Sequence, residues 1–248
     1  MWVDYAEESY LRSGLCELAF DPHFRTLVRL IPDEMRPHLT GLTGAVSYST
    51  SRSHSVFRLV GERGGDVYLK VLGVGGAEYD SLRDEAVRLE WLKSRLPVPK
   101  VVASGSRGGY EFLLTKAVSG VPAHDRSAGW NRREVAALVG KALKRFHSVP
   151  VVDCPFRHPI VGPASKEDEV LVHGDYCLPN VLFDADGCHY LDVGEAGVGD
   201  RYVDIVAGIW SLRHNYGKGS VKTMLNEYGL QALDRGKLTA YWRWWNSL

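Results

Sequence analysis

The segment LVHGDYCLPNVLFDADGCHYLDVG, residues 171–194, constrains the fold of this chain more than any other stretch. Two apolar runs flank the turn signal DADG, so they are predicted to pair antiparallel as a hairpin. With a turn centred near Asp186, residues whose numbers sum to about 372 should face each other. Asn180 and Asp192 meet that sum. The hairpin is therefore predicted to set an amide oxygen opposite a carboxylate at its open end.

Those two oxygen-bearing side chains suit Mg²⁺, with waters and phosphate oxygens completing the octahedron. Asp175 lies five residues before Asn180 on the loop that enters the hairpin, where its carboxylate can face the same centre as a general base. Singly, these residues also fit a polar loop, a turn and a strand-end cap. As an ordered set, HGDxxxxN followed by a hairpin and LDVG has the spacing of the catalytic and metal-binding loops of phosphoryl transfer.

The chain changes character near its middle. From Leu42 to Leu114 short β-type runs dominate, interrupted by one helix, SLRDEAVRLEWLKSRL, that a proline-rich stretch stops. From Asn131 onward helical patterns prevail around the hairpin. A chain of 248 residues with this pattern is predicted to be an α+β protein of two lobes. Residues 1–116 would form a β-rich nucleotide-binding lobe, and residues 117–248 a mainly helical catalytic and acceptor-binding lobe.

The strand DVYLKVLG supplies candidates for nucleotide binding. Strand alternation puts Tyr68 and Lys70 on one face, where an aromatic ring can stack on adenine and an ammonium can reach the phosphates. A single strand lysine is more often solvent-facing. Here, however, Glu85 lies on the apolar stripe of the helix, and a buried carboxylate requires a cationic partner. Lys70 is therefore predicted to pair with Glu85.

A second stretch, GAVSYSTSRSHSVF, contains the 47–55 loop, which is rich in hydroxyl groups but lacks the G-x-G-x-x-G pattern. Its hydroxyl and arginine groups either cover the phosphates or belong to an ordinary hairpin, and the sequence leaves both open.

Composition excludes several partners. Lys plus Arg and Asp plus Glu both total 30, so no net charge draws the chain to nucleic acid or to an anionic membrane. The four cysteines are irregularly spaced, which favours reduced thiols. The amino terminus lacks signal-peptide features, and no segment has the roughly 20 apolar residues of a membrane span. These features predict a soluble, cytoplasmic protein.

Four stretches carry a resemblance to a known family: VYLKV, EWLKSRLPVPKVV, VHGDYCLPNVLF and YLDVGEAGVGDRYVDI. From residue 56 onward the chain resembles the aminoglycoside phosphotransferases, especially their 3'-phosphotransferase branch. The resemblance implies a protein-kinase-like fold that uses ATP or GTP with Mg²⁺.

By motif position, the resemblance also implies roles for individual residues. Tyr68 would stack on adenine, Lys70 anchored by Glu85 would bind phosphates, and the backbone from Lys116 to Val118 would meet the adenine edge. Asp175 would deprotonate the acceptor hydroxyl, and Asn180 and Asp192 would hold Mg²⁺. Asp200 and Asp204 would brace the catalytic loop.

Three departures from the family concern the acceptor. The interval before the catalytic motif, FRHPIVGPASKEDEVLV, is short; the chain ends in YWRWWNSL instead of an acidic tail; and Glu195 stands where the branch commonly has arginine. The expected acceptor residues are therefore Glu195, Trp245 and the carboxylate of Leu248, with the acidic run at 167–169 as a further source of charge. The tryptophan-rich end is either core packing or a stacking wall.

The predicted function is phosphorylation of a hydroxyl of a small-molecule antibiotic, by default an aminoglycoside 3'-hydroxyl. A nucleoside or another weakly basic hydroxylated antibiotic is the alternative acceptor, and a kinase for another small molecule is a further alternative. A protein kinase is disfavoured because H-R-D, D-F-G and A-P-E are absent. A nucleotide-binding module without activity is disfavoured because Lys70, Asp175, Asn180 and Asp192 are all present, and a zinc module because the His and Cys spacing fits no zinc pattern. The oligomeric state stays open.

Overall fold

The computed structural model describes residues 22–50, 54–61, 65–73, 81–159, 167–230 and 232–245. The chain divides into two compact units. One unit comprises the residues up to Glu90 together with Pro99–Ala117, and the other comprises Trp91–Val98 together with the residues from Val118 onward. That residues 1–116 bind nucleotide and residues 117–248 carry catalysis stays a prediction.

The first half of the described chain is dominated by an antiparallel sheet and the second half by helices, which confirms the α+β fold class. The α-helices in the described residues are α1 (Pro22–Val28), α2 (Leu82–Leu92), α3 (Arg132–His147), α4 (Tyr202–Tyr216), α5 (Val221–Tyr228) and α6 (Arg235–Trp245). The strands there are β1 (Leu42–Thr50), β2 (His54–Gly61), β3 (Val67–Gly73), β4 (Val101–Arg107), β5 (Tyr110–Lys116), β6 (Val121–Pro122), β7 (Glu169–Val172), β8 (Val181–Asp184), β9 (Gly187–Tyr190) and β10 (Gly197–Asp200). Short 3₁₀ turns occupy Asp33–Leu39, Arg126–Ala128 and Leu178–Asn180.

An antiparallel sheet with the strand order β1-β2-β3-β5-β4 forms the centre of the first unit. Phe57, Leu69 and Phe112 extend from three of its strands into one buried apolar cluster. The short helix α1, which the sequence analysis did not predict, adds Phe24 to that cluster. Burial of these large side chains supplies most of the driving force for this unit, because each is worth about 1.5–3 kcal/mol when fully buried.

Strand β3 has the predicted alternation. Val67, Leu69 and Val71 are buried, whereas Tyr68 and Lys70 lie half-buried on the opposite face. This confirms that the two candidate nucleotide-binding side chains share a face of the sheet.

Helix α2 is shorter than predicted. The pattern indicated a helix as far as Leu96, but α2 ends at Leu92. The Leu92 carbonyl accepts the N–H groups of both Arg95 (2.8 Å) and Leu96 (2.9 Å), which closes the chain into a turn. Pro97 follows at once, and a proline cannot continue a helix. Leu96 nevertheless stays buried, so the apolar stripe was a better guide to burial than to helix length.

The second unit combines helices with two small sheets. β7 pairs antiparallel with β10, and β8 lies between β6 and β9. Helix α4 is buried almost continuously from Tyr202 to Leu212, as expected for the central helix of a unit rather than a surface helix. None of the described helices is both long and apolar enough to cross a membrane.

The hairpin of β8 and β9 forms as predicted, but its register differs by one residue. Val181 faces Tyr190 and Asp184 faces Gly187 across a two-residue loop. The Asp184 carboxylate accepts the N–H groups of Asp186 (2.9 Å) and Gly187 (3.0 Å), which stabilises this tight turn. A loop with an even number of residues cannot be centred on one residue, and this moves the pairing away from the predicted sum.

Candidate active site

The catalytic loop, defined here as residues 173–180, connects β7 to β8 in the second unit. It contains Asp175 and ends in the 3₁₀ turn Leu178–Asn180. The Asn180 amide folds back over the loop, and its Nδ2 donates to the Asp175 carbonyl oxygen (3.0 Å) and to Asp175 Oδ2 (2.9 Å). The predicted base and the predicted metal-binding amide are therefore in direct contact.

His173 fixes the backbone on the other side of Asp175. Its Nε2 lies 2.9 Å from the Leu191 carbonyl oxygen, and its Nδ1 lies 3.3 Å from the backbone nitrogen of Asp175. A carbonyl only accepts and a backbone N–H only donates, so the proton is on Nε2 and Nδ1 is the acceptor. With both ring nitrogens engaged in the protein, His173 braces the loop, and this argues against a zinc-ligand role.

Asp204 of α4 holds the start of the catalytic loop. Its carboxylate accepts the backbone N–H groups of His173 (2.6 Å) and Gly174 (3.0 Å), and it also contacts His147 Nε2 at 2.9 Å. Burial alone would raise the pKa of Asp204, but the hydrogen bonds from His147 and the His173 backbone hold its pKa below the ordinary value. Asp204 is thus an ionised, buried acceptor, in agreement with the bracing role predicted for it.

Asp200 braces a different element. Its carboxylate accepts the N–H of Tyr202 (3.0 Å) at the start of α4 and contacts Lys237 Nζ at 2.8 Å on α6. It therefore ties α6 to the beginning of α4, and no contact to the catalytic loop is found among the described residues.

His147 closes a hydrogen-bonded chain behind Asp204 that the sequence analysis did not find. Its Nδ1 lies 2.9 Å from the Tyr228 hydroxyl of α5, and burial raises the pKa of Tyr228 to about 12. This chain joins α3, α4 and α5 behind the loop. Its members are separated by 57 and 81 residues from His147, so no local pattern could indicate it.

Asp192 follows β9 directly. Leu191 N–H donates to the Asn180 carbonyl oxygen (2.9 Å), so Leu191, and not Asp192 as predicted, faces Asn180 in the hairpin. Asp192 is the next residue. It is exposed and has a φ of 57°, in the left-handed region that few non-glycine residues adopt. Such strain of about 1–3 kcal/mol persists where the surrounding structure requires a particular side-chain direction.

Glu195 lies against the catalytic loop. A Cβ on Gly174 would approach the Glu195 Cβ to 2.5 Å, and Gly174 has a φ of 93°, so only glycine fits there. The Glu195 carboxylate is 37% exposed and lies 3.5 Å from Nε2 of the buried His158. Glu195 therefore places a partly exposed carboxylate against Gly174, the residue that directly precedes the predicted base Asp175.

Cys177, also in the catalytic loop, does not behave as a nucleophile. Burial, and then the negative charge of Asp175, raise the pKa of its thiol well above the ordinary value, so the thiol stays protonated.

In the first unit, Lys70 of β3 and Glu85 of α2 form the predicted ion pair. The Lys70 ammonium lies 2.7 and 2.8 Å from the two Glu85 carboxylate oxygens, and Glu85 is buried. Glu111 of β5, which sequence reasoning missed, accepts the N–H of Leu82 (2.7 Å) at the first residue of α2. Glu111 thereby fixes the amino-terminal end of α2, the helix that carries Glu85.

Lys116 and Val118 flank the border between the two units. The N–H groups of Lys116 and Ala117 donate to the carbonyl oxygens of Lys100 (2.9 Å) and Asp66 (3.0 Å). The amide groups of these two residues are therefore engaged in the first unit. An adenine contact from this segment would have to use a backbone carbonyl or the N–H of Val118.

Of the other acceptor candidates, Trp245 packs among aromatic side chains and Leu248 is not among the described residues. Trp245 packs against Trp210 of α4 and Trp244 of α6, which corresponds to the packing alternative for the tryptophan-rich end. Leu248 lies outside the described residues. Residues 51–53 of the predicted phosphate-covering loop also lie outside them, although Thr50 pairs with Ser55 at the ends of β1 and β2.

Two carboxylates of the acidic run at 167–169 contact cations inside the second unit, and a role of this run toward an acceptor stays a prediction. Asp168 pairs with Arg201 Nε (3.1 Å) and with Lys237, and Glu169 lies 3.5 Å from Arg157. These cations neutralise the two carboxylates locally. Lys237 is 69 residues from Asp168, so no local pattern could indicate that pair.

The donor set fits a hard cation such as Mg²⁺. Because Asn180 Nδ2 is turned toward Asp175, the Oδ1 oxygen of the amide points elsewhere, and the exposed Asp192 carboxylate lies just beyond the partner strand. An amide oxygen and a carboxylate are oxygen ligands of the kind that Mg²⁺ takes from proteins together with waters and phosphates.

Comparisons with known proteins identify the family of this chain. A model of the phosphotransferase enzyme family matches residues 46–165 and 161–241. An aminoglycoside 3'-phosphotransferase from Niallia circulans is 30% identical over 227 residues, covering 76% of this chain and 86% of the relative.

Solved structures give the same result. A crystal structure of an aminoglycoside 3'-phosphotransferase of type VIII has a TM-score of 0.72 at 26% identity and covers 89% of this chain and 97% of that chain. An amicoumacin kinase, solved with AMP-PNP, Ca²⁺ and its antibiotic, has a TM-score of 0.59 at 15% identity, covers 88% and 84% of the two chains, and shares the fold. The predicted protein-kinase-like fold and the family resemblance are both confirmed.

Proposed function

Because this chain belongs to the aminoglycoside phosphotransferase family, we propose that it transfers the γ-phosphoryl group of Mg-ATP to a hydroxyl of an antibiotic, by default an aminoglycoside 3'-hydroxyl. The observation that carries the proposal is the contact of Asn180 with both the backbone and the carboxylate of Asp175. It joins the two residues that phosphoryl transfer requires next to each other.

Asp175 is the proposed general base. The Asn180 amide donates to Oδ2, which sets the direction of the carboxylate. The carboxylate orients the acceptor hydroxyl and takes its proton as the oxygen attacks the γ-phosphorus, while the bond from phosphorus to the ADP oxygen breaks. Positioning of this kind provides most of the rate in phosphoryl transfer.

Asn180 Oδ1 and Asp192 are the proposed ligands for Mg²⁺. The ion, when bound, neutralises charge on the β- and γ-phosphate oxygens. The left-handed backbone of Asp192 supports this assignment, because strained conformations of this kind cluster at functional sites.

The first unit would bind the nucleotide. Lys70, oriented by two contacts with Glu85, would bind the phosphates, and Tyr68 on the same face would stack on adenine. The Lys116 carbonyl and the Val118 N–H would meet the adenine edge. The stacking of Tyr68 and the phosphate contacts of Lys70 are available to ATP and GTP alike. Dependence on a nucleoside triphosphate supports a cytoplasmic location.

We propose that Glu195, which lies against the catalytic loop, contacts the antibiotic acceptor. Its partly exposed carboxylate next to Gly174 would pair with an ammonium group of an aminoglycoside. Trp245 and the carboxylate of Leu248 remain further candidates at the carboxyl end.

A weakly basic hydroxylated antibiotic, such as a nucleoside antibiotic, is the second candidate acceptor. The observation that favours it is the engagement of Asp168 by Arg201 and Lys237, which leaves fewer carboxylates for a polycation.

The test is ADP release from Mg-ATP across a panel of kanamycin-type aminoglycosides and hydroxylated nucleoside antibiotics, with Asp175→Asn as the blank. We expect acceptor-dependent ADP release by the native chain and none above background by the variant. Release that is equal with and without every acceptor, or equal in the variant, would contradict the proposal.

A further inference from the structure

Helix α4 runs behind the catalytic loop, and one stripe of its side chains faces the loop. Asp204, Gly208 and Ser211 follow one another at spacings of four and three residues, so they lie on the same side of the helix. All three are buried. This stripe extends over two helical turns, or about 10 Å.

The first and last residues of the stripe accept hydrogen bonds from opposite ends of the catalytic loop. Asp204 accepts the N–H groups of His173 and Gly174 at the start of the loop. Ser211, which is 1% exposed, accepts the N–H of Leu178 at 2.9 Å through its Oγ. Leu178 is the first residue of the 3₁₀ turn that ends at Asn180.

Between these two points the loop packs closely on the helix. A Cβ on Gly208 would lie 3.2 Å from the Tyr176 ring of the loop and 2.6 Å from the end of the Met224 side chain on α5, so the glycine permits close packing here. Tyr176 is itself buried, and its hydroxyl donates to the Val139 carbonyl oxygen (2.8 Å) on α3.

Ser211 is contacted by Asn215, a residue one turn further along the same helix. Asn215 Nδ2 donates to the Ser211 carbonyl oxygen (2.8 Å) and lies 3.4 Å from Ser211 Oγ. A hydroxyl with two neighbouring donors on its oxygen has its acceptor direction fixed, and the buried Leu178 N–H has this oxygen as its partner.

We propose that Ser211 is a positioning residue for phosphoryl transfer, because it fixes the end of the loop that carries Asn180 relative to Asp175. Asp204 sets the start of the loop, Ser211 sets its end, and the rigid helix between them sets the distance. Asn180 then reaches Asp175 at the distances observed. The inference rests on the proposed function, since it gives Asn180 and Asp175 their roles in that reaction.

The test compares three variants of Ser211 with a control on the same helix. Ser211→Ala removes the acceptor, Ser211→Cys keeps the size but weakens the acceptor, and Ser211→Thr keeps the hydroxyl. Val206→Ala is the control: Val206 is buried on α4 and packs with Tyr202, Val203 and Tyr241, in a cluster that excludes the loop residues.

Two readouts are measured on the full chain. The first is kcat against KM for Mg-ATP. We expect Ser211→Ala to lower kcat about 10- to 100-fold, because a buried N–H loses its partner at the catalytic loop, while KM changes less than about twofold. Ser211→Thr should restore most of kcat, and Val206→Ala should lower the melting temperature with kcat nearly unchanged.

The second readout is hydrogen exchange of the loop amides, which needs no substrate. In Ser211→Ala the Leu178 amide should exchange faster by more than about tenfold, whereas the His173 and Gly174 amides stay protected. If the native chain phosphorylates no acceptor, the proposed function fails, and this exchange pattern still decides whether Ser211 fixes the loop end.

The inference is overturned if Ser211→Ala keeps the kcat of Val206→Ala, or if protection falls equally over the whole loop. Should Ser211→Ala fail to fold, Ser211→Cys decides the question by the same two readouts.

Discussion

The two units hold their candidate functional groups in different ways. In the first unit, Lys70 is oriented by one side chain, Glu85, through two short contacts. In the second unit, the loop that carries Asp175 is held largely through its backbone, by Asp204, Ser211 and the His173 ring. A side-chain pair can be exchanged without moving the main chain, whereas loss of a backbone anchor displaces every side chain on the loop.

This difference predicts separate kinetic effects. Changes in the first unit should alter nucleotide binding together with local stability. Changes behind the catalytic loop should lower turnover and leave nucleotide binding nearly intact.

The largest effect is expected at Asp175 itself. Asp175→Asn keeps the shape of the side chain but removes the base, so kcat should fall about 10²- to 10⁴-fold. The affinity for ATP, measured by calorimetry, should change less than about twofold. Asp186→Asn is the matched control, because it makes the same change on an exposed turn of the hairpin. A variant with native kcat would remove Asp175 from the mechanism.

The next effect concerns the ion pair of the first unit. Lys70→Met removes the ammonium that pairs with the buried Glu85 carboxylate, which should cost about 3–5 kcal/mol of unfolding free energy and raise KM for ATP. The double variant with Glu85→Gln should recover part of the stability but not the KM. Urea unfolding together with steady-state kinetics checks both values. Recovery of KM in the double variant would argue against phosphate binding by Lys70.

The lowered pKa of Asp204 should make the free energy of unfolding depend on pH. Its pKa is lower in the folded chain than in the unfolded chain, where it is about 3.9. Its contribution is therefore complete above the unfolded pKa and is lost as pH falls through the folded pKa. Asp204→Asn should be less stable at pH 7 and lose less stability on acidification below about pH 4.

Urea unfolding of both proteins at neutral and acid pH measures this difference, with Asp186→Asn as a control for a general loss of charge. Parallel acid profiles for the native chain and Asp204→Asn would show that Asp204 does not act as an ionised anchor.

The smallest effect is expected at Glu195, because its carboxylate is partly exposed and screened by solvent. Glu195→Gln should raise KM for an aminoglycoside about three- to tenfold, with KM for ATP unchanged. Glu169→Gln, which changes a carboxylate paired with Arg157, is the control. Equal KM values in native chain and Glu195→Gln would exclude Glu195 as an acceptor contact.

The sequence predicted those parts of the site that depend on local periodicity. The pair of Lys70 with Glu85 followed from strand alternation and a helical stripe, because burial of a carboxylate demands a cation. The loop motif around Asp175 and Asn180 was likewise contiguous. The register of the hairpin was missed by one residue because the hydrogen bonds of Asp184 select a two-residue loop, and composition does not report that choice.

The missed residues act through tertiary packing. Ser211 and His147 bind the loop or its anchor across 33 and 57 residues, and each looks like an ordinary helix residue in sequence. Asp168 pairs with two cations from distant elements, and no local pattern indicated either contact. Such contacts depend on how helices pack, which no single segment encodes.

We propose that this chain forms a phosphate ester on an antibiotic hydroxyl. Incubation with kanamycin and γ-phosphoryl-labelled Mg-ATP, followed by phosphorus NMR and mass spectrometry, locates the transferred label. We expect labelled antibiotic esterified at the 3'-oxygen, with no such product from Asp175→Asn. If the label is recovered only as inorganic phosphate or unchanged ATP, with kanamycin and with every other acceptor of the panel, the proposed phosphoryl transfer is contradicted.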